Sequence, residues 1–369
     1  MRIIQLIYSL SSGGAEKFVV DLSNQLAEMG HDVTLCTLRN IEDERLSFNR
    51  QYLGNKVKFH SMSFERGFTL GKCKELETFI KECSPDILHC HLNVIPYIFK
   101  LALSKNSPVI FHTLHNIASE TGGRGVQYYL NRFFYKKNKI HPVCISQICQ
   151  QSYEEYYKLY NAPVIDNGRA IVSKSAKFKD VKQEVDSYKK TIQTKVFLHV
   201  ARFNKQKNQQ LLIDAFNCLK AHGCDFILLV IGSGFDNAEA FNLKATACDR
   251  VFFLGEKNNV TDYLYCSDAF CLTSKYEGLP ISLLEALSCG ITPICTPVGG
   301  IPDVIHDGVN GYLSLGQDVD AYCHAVKRYM ERPLPPQELV KYFKENFSME
   351  KCAKKYEVLY SNVQSHNKD

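Results

Sequence analysis

Three short segments of the 369-residue chain carry residue types suited to a charged, hydroxyl-rich ligand. In Ser11-Ser12-Gly13-Gly14-Ala15-Glu16, two adjacent glycines precede a helical pattern. Gly13 and Gly14 let backbone approach a ligand closely, and the helix N-terminus beyond them offers N–H groups to an anion. An ordinary strand-to-helix turn is the competing reading. In Ala201-Arg202-Phe203-Asn204-Lys205-Gln206-Lys207-Asn208, Arg202 and Lys207 sit between a strand and a helix. A guanidinium and an ammonium there can reach a phosphate and neutralise charge on a departing diphosphate. A solvated basic loop is the alternative. In residues 274–285, Glu277 stands in a loop, and Glu285 follows eight residues later within a helix among Leu283, Leu284 and Leu287. A carboxylate in that apolar setting needs a partner to offset its desolvation, and a vicinal diol such as a ribose would serve. Glu277 suits sugar hydroxyls, with the backbone N–H groups of Gly278 and Leu279 as further donors. Two unrelated helix-end acids remain the plainer explanation.

The elements that must position these loops alternate along the chain. Residues 3–7, 33–38, 87–90, 109–113 and 143–145 read as strands separated by helical stretches. A polar interval follows, and residues 171–194 are expected to be a linker. The pattern then restarts with strands at 196–200, 226–231, 251–254, 269–272 and 292–295, and helices at 209–221 and 281–288. This rhythm implies two α/β domains with doubly wound parallel sheets. The boundaries are 1–170 for an N-terminal domain, 195–346 for a C-terminal domain, and 347–369 for a helix packing back on the first. Ligands bind beyond the carboxyl ends of such strands, so the loops singled out are correctly placed for a central cleft.

Composition narrows the function classes. The content is 45% apolar and 22% charged, which excludes a disordered chain. Fifteen cysteines, odd in number and never spaced Cys-x-x-Cys, read as reduced, mostly buried thiols. No run of about 18 apolar residues is present to span a bilayer. Residues 1–10 faintly imitate a signal peptide, but Gln5 and Ser9 interrupt them, so a buried strand and a cytoplasmic location are expected. Net charge is +5, too little to indicate nucleic acid. Residues 1–190 hold 26 basic and 19 acidic side chains, and residues 191–369 hold 18 and 20. The excess gathers at Arg124, Arg132, Lys136, Lys137 and Lys139, among aromatic residues. A core-facing helix with a solvated basic face competes there with a patch that rests on an anionic membrane surface.

Three decoys are set aside. Gly232-Ser233-Gly234 lacks the third glycine of a dinucleotide fingerprint. Asp318-Val319-Asp320 precedes a helix that its carboxylates can cap, so no metal is needed to explain it. In His89-Cys90-His91, strand alternation sends the cysteine to the face opposite both histidines, so no metal site is expected.

Glu277 and Glu285 match the Glu-x7-Glu signature of the family 4 retaining glycosyltransferases, and the chain resembles that family in several other places. Gly13-Gly14-Ala15-Glu16 is similar to its N-terminal glycine loop, and Arg202 with Lys207 to its Arg-x4-Lys phosphate clamp. Val298-Gly299-Gly300-Ile301-Pro302 with Asn310-Gly311 is similar to its downstream glycine segment. Thr113-Leu114-His115 resembles its Thr-x-His, whose histidine faces the transferred sugar. The Asp166-Asn167-Gly168-Arg169 stretch is less typical, and nothing catalytic is carried from it.

The resemblance implies the GT-B architecture and transfer of a hexose or N-acetylhexosamine from a nucleotide-diphosphate sugar, a UDP-sugar first among them. The acceptor is expected to be a glycan, lipid-linked, in bacterial surface polysaccharide synthesis. Anomeric configuration would be retained, with no metal and no cofactor beyond the co-substrate. Work at the inner face of the cytoplasmic membrane is consistent with that acceptor. Arg202, Lys207, Glu277 and His115 are the expected catalytic groups. Gly13, Gly14, Gly278, Leu279 and Glu285 complete the expected donor site. A non-catalytic nucleotide-sugar-binding subunit and a UDP-sugar epimerase of the same fold are the alternatives.

Overall fold

Ile3, Ile4, Leu6 and Ile7 are all buried, which places their strand in a sheet covered by helices on both faces. The structure, a computed structural model, describes residues 1–39 and 42–366. The chain divides into two units, Met1–Ala170 with the segment from Phe347 onward, and Ile171–Asn346.

The first unit holds β1 (Arg2–Ile7), β2 (Asp32–Arg39), β3 (Lys58–Phe64), β4 (Ile87–His91), β5 (Val109–Leu114) and β6 (His141–Cys144). They form one sheet in the order β3-β2-β1-β4-β5-β6, every pair parallel. The second unit holds β7 (Lys195–Val200), β8 (Phe226–Ile231), β9 (Val251–Gly255), β10 (Ala269–Leu272), β11 (Thr292–Cys295) and β12 (Tyr312–Leu313). Its order is β12-β11-β10-β7-β8-β9, again all parallel. Both sheets are wound alike: the chain moves outward from a central first strand, then returns to its other side. The direction reverses between β1 and β4 in one sheet and between β7 and β10 in the other. Loops leaving such a pair diverge, and a crevice opens at the strands' carboxyl ends.

Two strands escape the sequence pattern. β3 is an edge strand of mixed polarity, KFHSMSF, and β12 spans two residues. The expected linker also differs from what is found. Within residues 171–194 lies the helix Phe178–Tyr188, with Val181 and Val185 buried. It is tied to the second unit: Tyr263 donates to Glu184 Oε2 at 2.8 Å, and Ser175 N–H donates to Asp262 Oδ1 at 2.8 Å. Two buried valines one helical turn apart, with Tyr188 stacked on Phe252 at 4.3 Å between ring centroids, dock a helix whose outer face is charged.

The C-terminal helix Met349–His366 belongs to the first unit; residues 367–369 of the expected segment lie outside the described residues. Its Tyr356 and Tyr360 are wholly buried. The Asp166-Asn167-Gly168-Arg169 stretch anchors that helix. Arg169 forms a buried ion pair with Asp21, and its N–H donates to Phe347 O at 2.9 Å. A side chain at Gly168 would come within 2.5 Å of Cys352 Cβ. Among the described residues no helix is long and apolar enough to cross a membrane.

Candidate active site

In the second unit, adjacency of β7 and β10 brings together loops some seventy residues apart in sequence. The loop after β7 ends at Asn208, whose backbone is left-handed (φ 51°), and the helix Gln209–Ala221 begins there. Asparagine tolerates that conformation better than most residues. Thr273 Oγ1, just past β10, donates at 3.1 Å to the carbonyls of Lys207 and Asn208, and Lys275 N–H donates to Gln206 O at 2.7 Å. The two loops are thereby stitched. Lys207 Nζ reaches Glu277 Oε1 at 2.5 Å, and Ser274 Oγ donates to the same oxygen at 2.5 Å. Glu277 Oε2 faces Gln206 Nε2 at 3.4 Å.

Glu277, the loop residue expected to meet sugar hydroxyls, is therefore enclosed by these partners. It is 4% exposed, and one carboxylate oxygen is already shared by an ammonium and a hydroxyl. Burial of a carboxylate requires such partners. Arg202 behaves oppositely: it is exposed, and its guanidinium makes no hydrogen bond or ion pair among the described residues. Glu285 lies half-exposed on the helix Ile281–Ser288, between buried Leu284 and Ala286. Leu279 is buried, and Gly278 O accepts from Gly300 N–H at 2.8 Å. Gly299 has φ 55°, and a side chain there would strike the Glu277 carbonyl. The downstream glycine segment thus permits a backbone approach that holds Glu277 in place.

Behind the Arg202 loop lies a buried His199–Gln209 pair. His199 Nδ1 donates to Cys271 O at 2.9 Å, while Gln209 Nε2 faces His199 Nε2 at 3.4 Å and donates to Arg202 O at 3.0 Å. Burial pulls the His199 pKa down to about 4, so the ring is neutral near pH 7. Neither residue stands out in the sequence; His199 lies in an apolar strand and Gln209 opens an amphipathic helix.

In the first unit, Gly13 is the N-cap of the helix Gly14–Glu28. The anion nearest this N-terminus is the chain's own: Ser11 Oγ donates to Glu16 Oε1 at 2.7 Å, and the Glu16 carboxylate fills the space a side chain at Gly13 would need. His115 follows β5, and its Nε2 lies 3.0 Å from His91 Nδ1. His91 Nε2 lies 2.7 Å from Gln5 Oε1, so β1, β4 and β5 each contribute one member of this row. Beside it, His89 Nε2 meets Thr113 Oγ1 at 2.7 Å, and Tyr360 OH meets His89 Nδ1 at 2.6 Å. Burial, with neighbouring rings adding to the effect, holds His89 and His91 well below the usual histidine range and His115 likewise low; burial alone takes His112 down to about 4 against a hydrogen bond to Leu92 O. His89 and His91 share one face, with ring centroids 4.1 Å apart. Among the described residues no group of three or more His, Cys, Asp or Glu is arranged to hold a metal ion. Asp318 caps its helix, accepting from Ala321 N–H at 2.9 Å.

These paired sheets and loop positions agree with comparison to known proteins. The Glycosyltransferase Family 4 domain model matches residues 12–169, and the Glycosyl transferases group 1 model matches residues 180–347. The chain is a family 4 glycosyltransferase. Its fold is the two-domain α/β GT-B architecture. The N-acetyl-alpha-D-glucosaminyl L-malate synthase of Bacillus anthracis is 25% identical over 97% of this chain and 96% of its own. An Escherichia coli UDP-Gal:alpha-D-GlcNAc-diphosphoundecaprenol alpha-1,3-galactosyltransferase is 25% identical over 69% of this chain and 68% of its own. Anabaena Alr3699/HepE, solved in complex with UDP-glucose, shares the fold at a TM-score of 0.77 and 17% identity, covering 98% of this chain and all of that one.

Proposed function

We propose that this glycosyltransferase moves a hexose or N-acetylhexosamine from a UDP-sugar to a glycan acceptor, lipid-linked, in bacterial surface polysaccharide synthesis. The observation that carries the reading is the convergence of Lys207, Glu277 and Ser274 beside an uncommitted Arg202 at the ends of β7 and β10. Two relatives support the donor class: one is named for UDP-galactose and a diphosphoundecaprenol-linked acceptor, and one binds UDP-glucose.

Arg202 and Lys207 take the diphosphate, Glu285 the ribose, and Glu277 Oε2 a sugar hydroxyl. The backbone at Gly278 and Leu279 lines the same ligand. In the first unit, His115 is assigned a sugar hydroxyl and the Gly13-Gly14 loop an anion. As the glycosidic C–O bond breaks, negative charge grows on the diphosphate, and the two cations stabilise it without a metal ion. The hydrogen-bonded row at His115 contains imidazoles and an amide but no carboxylate. Retention then proceeds by attack on the face the diphosphate leaves, with the acceptor hydroxyl's proton passing to a phosphate oxygen. A thermal-shift panel of nucleotide sugars tests the donor: UDP-sugars should raise the melting temperature by mass action, and turnover should persist in EDTA. Stabilisation by no UDP-sugar would overturn the assignment.

The acceptor reading extends to the helix Val126–Lys136. Val126, Tyr129 and Phe133 lie 85%, 71% and 46% exposed along one stripe, next to Arg124, Lys136, Lys137 and Lys139. That combination suits an anionic bilayer surface. Co-sedimentation with phosphatidylglycerol vesicles, lost on Phe133→Ser with Lys136→Glu and absent with phosphatidylcholine, is the expected result; equal binding to both would refute it.

A further inference from the structure

The row Gln5–His91–His115 has a property that follows from counting protons. His91 is completely buried, and its two ring nitrogens face Gln5 Oε1 and His115 Nε2. An amide oxygen can only accept, so the single proton of a neutral His91 must sit on Nε2. Its Nδ1 is then a bare acceptor, and the group facing it, His115 Nε2, must be the donor. A neutral His115 has spent its only N–H inward, which leaves Nδ1 unprotonated. That atom has no hydrogen-bond partner among the described residues, and the His115 side chain is partly open to solvent.

We infer that Gln5 and His91 are positioning residues that lock His115 in the Nε2–H tautomer, so that its free Nδ1 presents an acceptor to a hydroxyl of the bound donor sugar. This rests on the reading that His115 faces that sugar. The sense of the row follows from which end of the Gln5 amide faces His91: it is Oε1, while the buried Nε2 has no hydrogen-bond partner among the described residues. Were the amide reversed, Gln5 would donate to His91 Nε2, His91 Nδ1–H would donate to His115 Nε2, and Nδ1 of His115 would carry the proton. The site would then offer a donor in place of an acceptor. Phe18 packs edge-on against both rings, at 6.3 Å from His91 and 5.4 Å from His115, and fixes their planes.

The test is ¹⁵N NMR of the full-length protein with labelled histidine, in which a bare ring nitrogen and a protonated one resonate far apart. In the wild type, His115 Nδ1 should appear bare and Nε2 protonated; the opposite assignment overturns the inference without any variant. Two substitutions at Gln5 test the cause. Gln5→Glu, once ionised, keeps an oxygen that accepts from His91 Nε2–H as the amide does, and should leave the His115 tautomer unchanged. Gln5→Leu, which removes the acceptor, should give a mixture of tautomers, with kcat/KM falling by up to about tenfold, the value of roughly one hydrogen bond. An unchanged His115 signal in the folded Gln5→Leu variant overturns the lock. His115→Ala separates this from the broader reading: if it turns over normally, the sugar contact itself is wrong, whereas a loss there with tautomers unmoved in Gln5→Leu condemns only the lock.

Discussion

The two halves of the molecule build their candidate sites from opposite kinds of group. The second unit's site is ionic: an exposed guanidinium at Arg202 and a buried Lys207–Glu277 pair. The first unit's site is neutral, a row of imidazoles ending in an amide, with hydroxyls alongside. Net charge runs the other way, +7 in residues 1–190 and −2 in residues 191–369. Bulk charge therefore does not locate the cations that matter. The basic excess of the first half sits on the helix Val126–Lys136 and its flanks and not within the row that holds His115. Ionic groups suit a leaving diphosphate whose charge grows during reaction, whereas neutral rings can orient a sugar without adding charge of their own.

The sharpest way to break this comparison is within the ionic half. Arg202→Ala and Lys207→Ala should each lower kcat by about 10²–10³, the typical loss for a group that stabilises developing charge. They should differ in stability. Arg202 has no partner to orphan, so its melting temperature should stay near wild type. Lys207→Ala leaves a buried carboxylate with only Ser274 against Oε1, costing about 3 kcal/mol. Thermal melts beside turnover rates settle it; equal stability for the two variants would mean that the ion pair contributes nothing to the fold.

Acid should separate the halves less steeply. Unfolded histidine titrates near 6.5, while burial keeps His89, His91, His112 and His115 of the first unit, and His199 of the second, neutral to lower pH. Below pH 6.5 the unfolded chain thus binds protons that the folded chain does not, so stability falls as pH drops from 6.5 toward 4. Each such ring costs about 1.4 kcal/mol per pH unit in that window. Hydrogen exchange at pH 7.5 and pH 5, corrected for intrinsic rates, should show the first unit losing protection first. Earlier opening of the second unit would contradict the assignment.

The sequence exposes those parts of the molecule whose signal is local. Strands such as β8, six apolar residues in a row, announce themselves because both faces are buried. β3 does not, since an edge strand is free to be polar on one side, and neither does the helix Phe178–Tyr188, where only Val181 and Val185 are buried. Among site residues, Lys207 and Glu277 are legible singly, but their pairing depends on β7 lying beside β10. Gln5, His91 and Gln209 carry no signature of the roles they take here: a polar residue inside an apolar strand or at a helix start acquires meaning only when the sheet order brings its partner.

The central claim is that the second unit grips a diphosphate through Arg202 and Lys207. Calorimetric titration of UDP and of uridine into the wild type and Arg202→Ala tests it most directly. The account predicts clear binding of UDP by the wild type, at least tenfold weaker binding of uridine, and a clear reduction of that difference in Arg202→Ala, where Lys207 alone remains. Uridine binding as tightly as UDP, or a difference undiminished in Arg202→Ala, would contradict it.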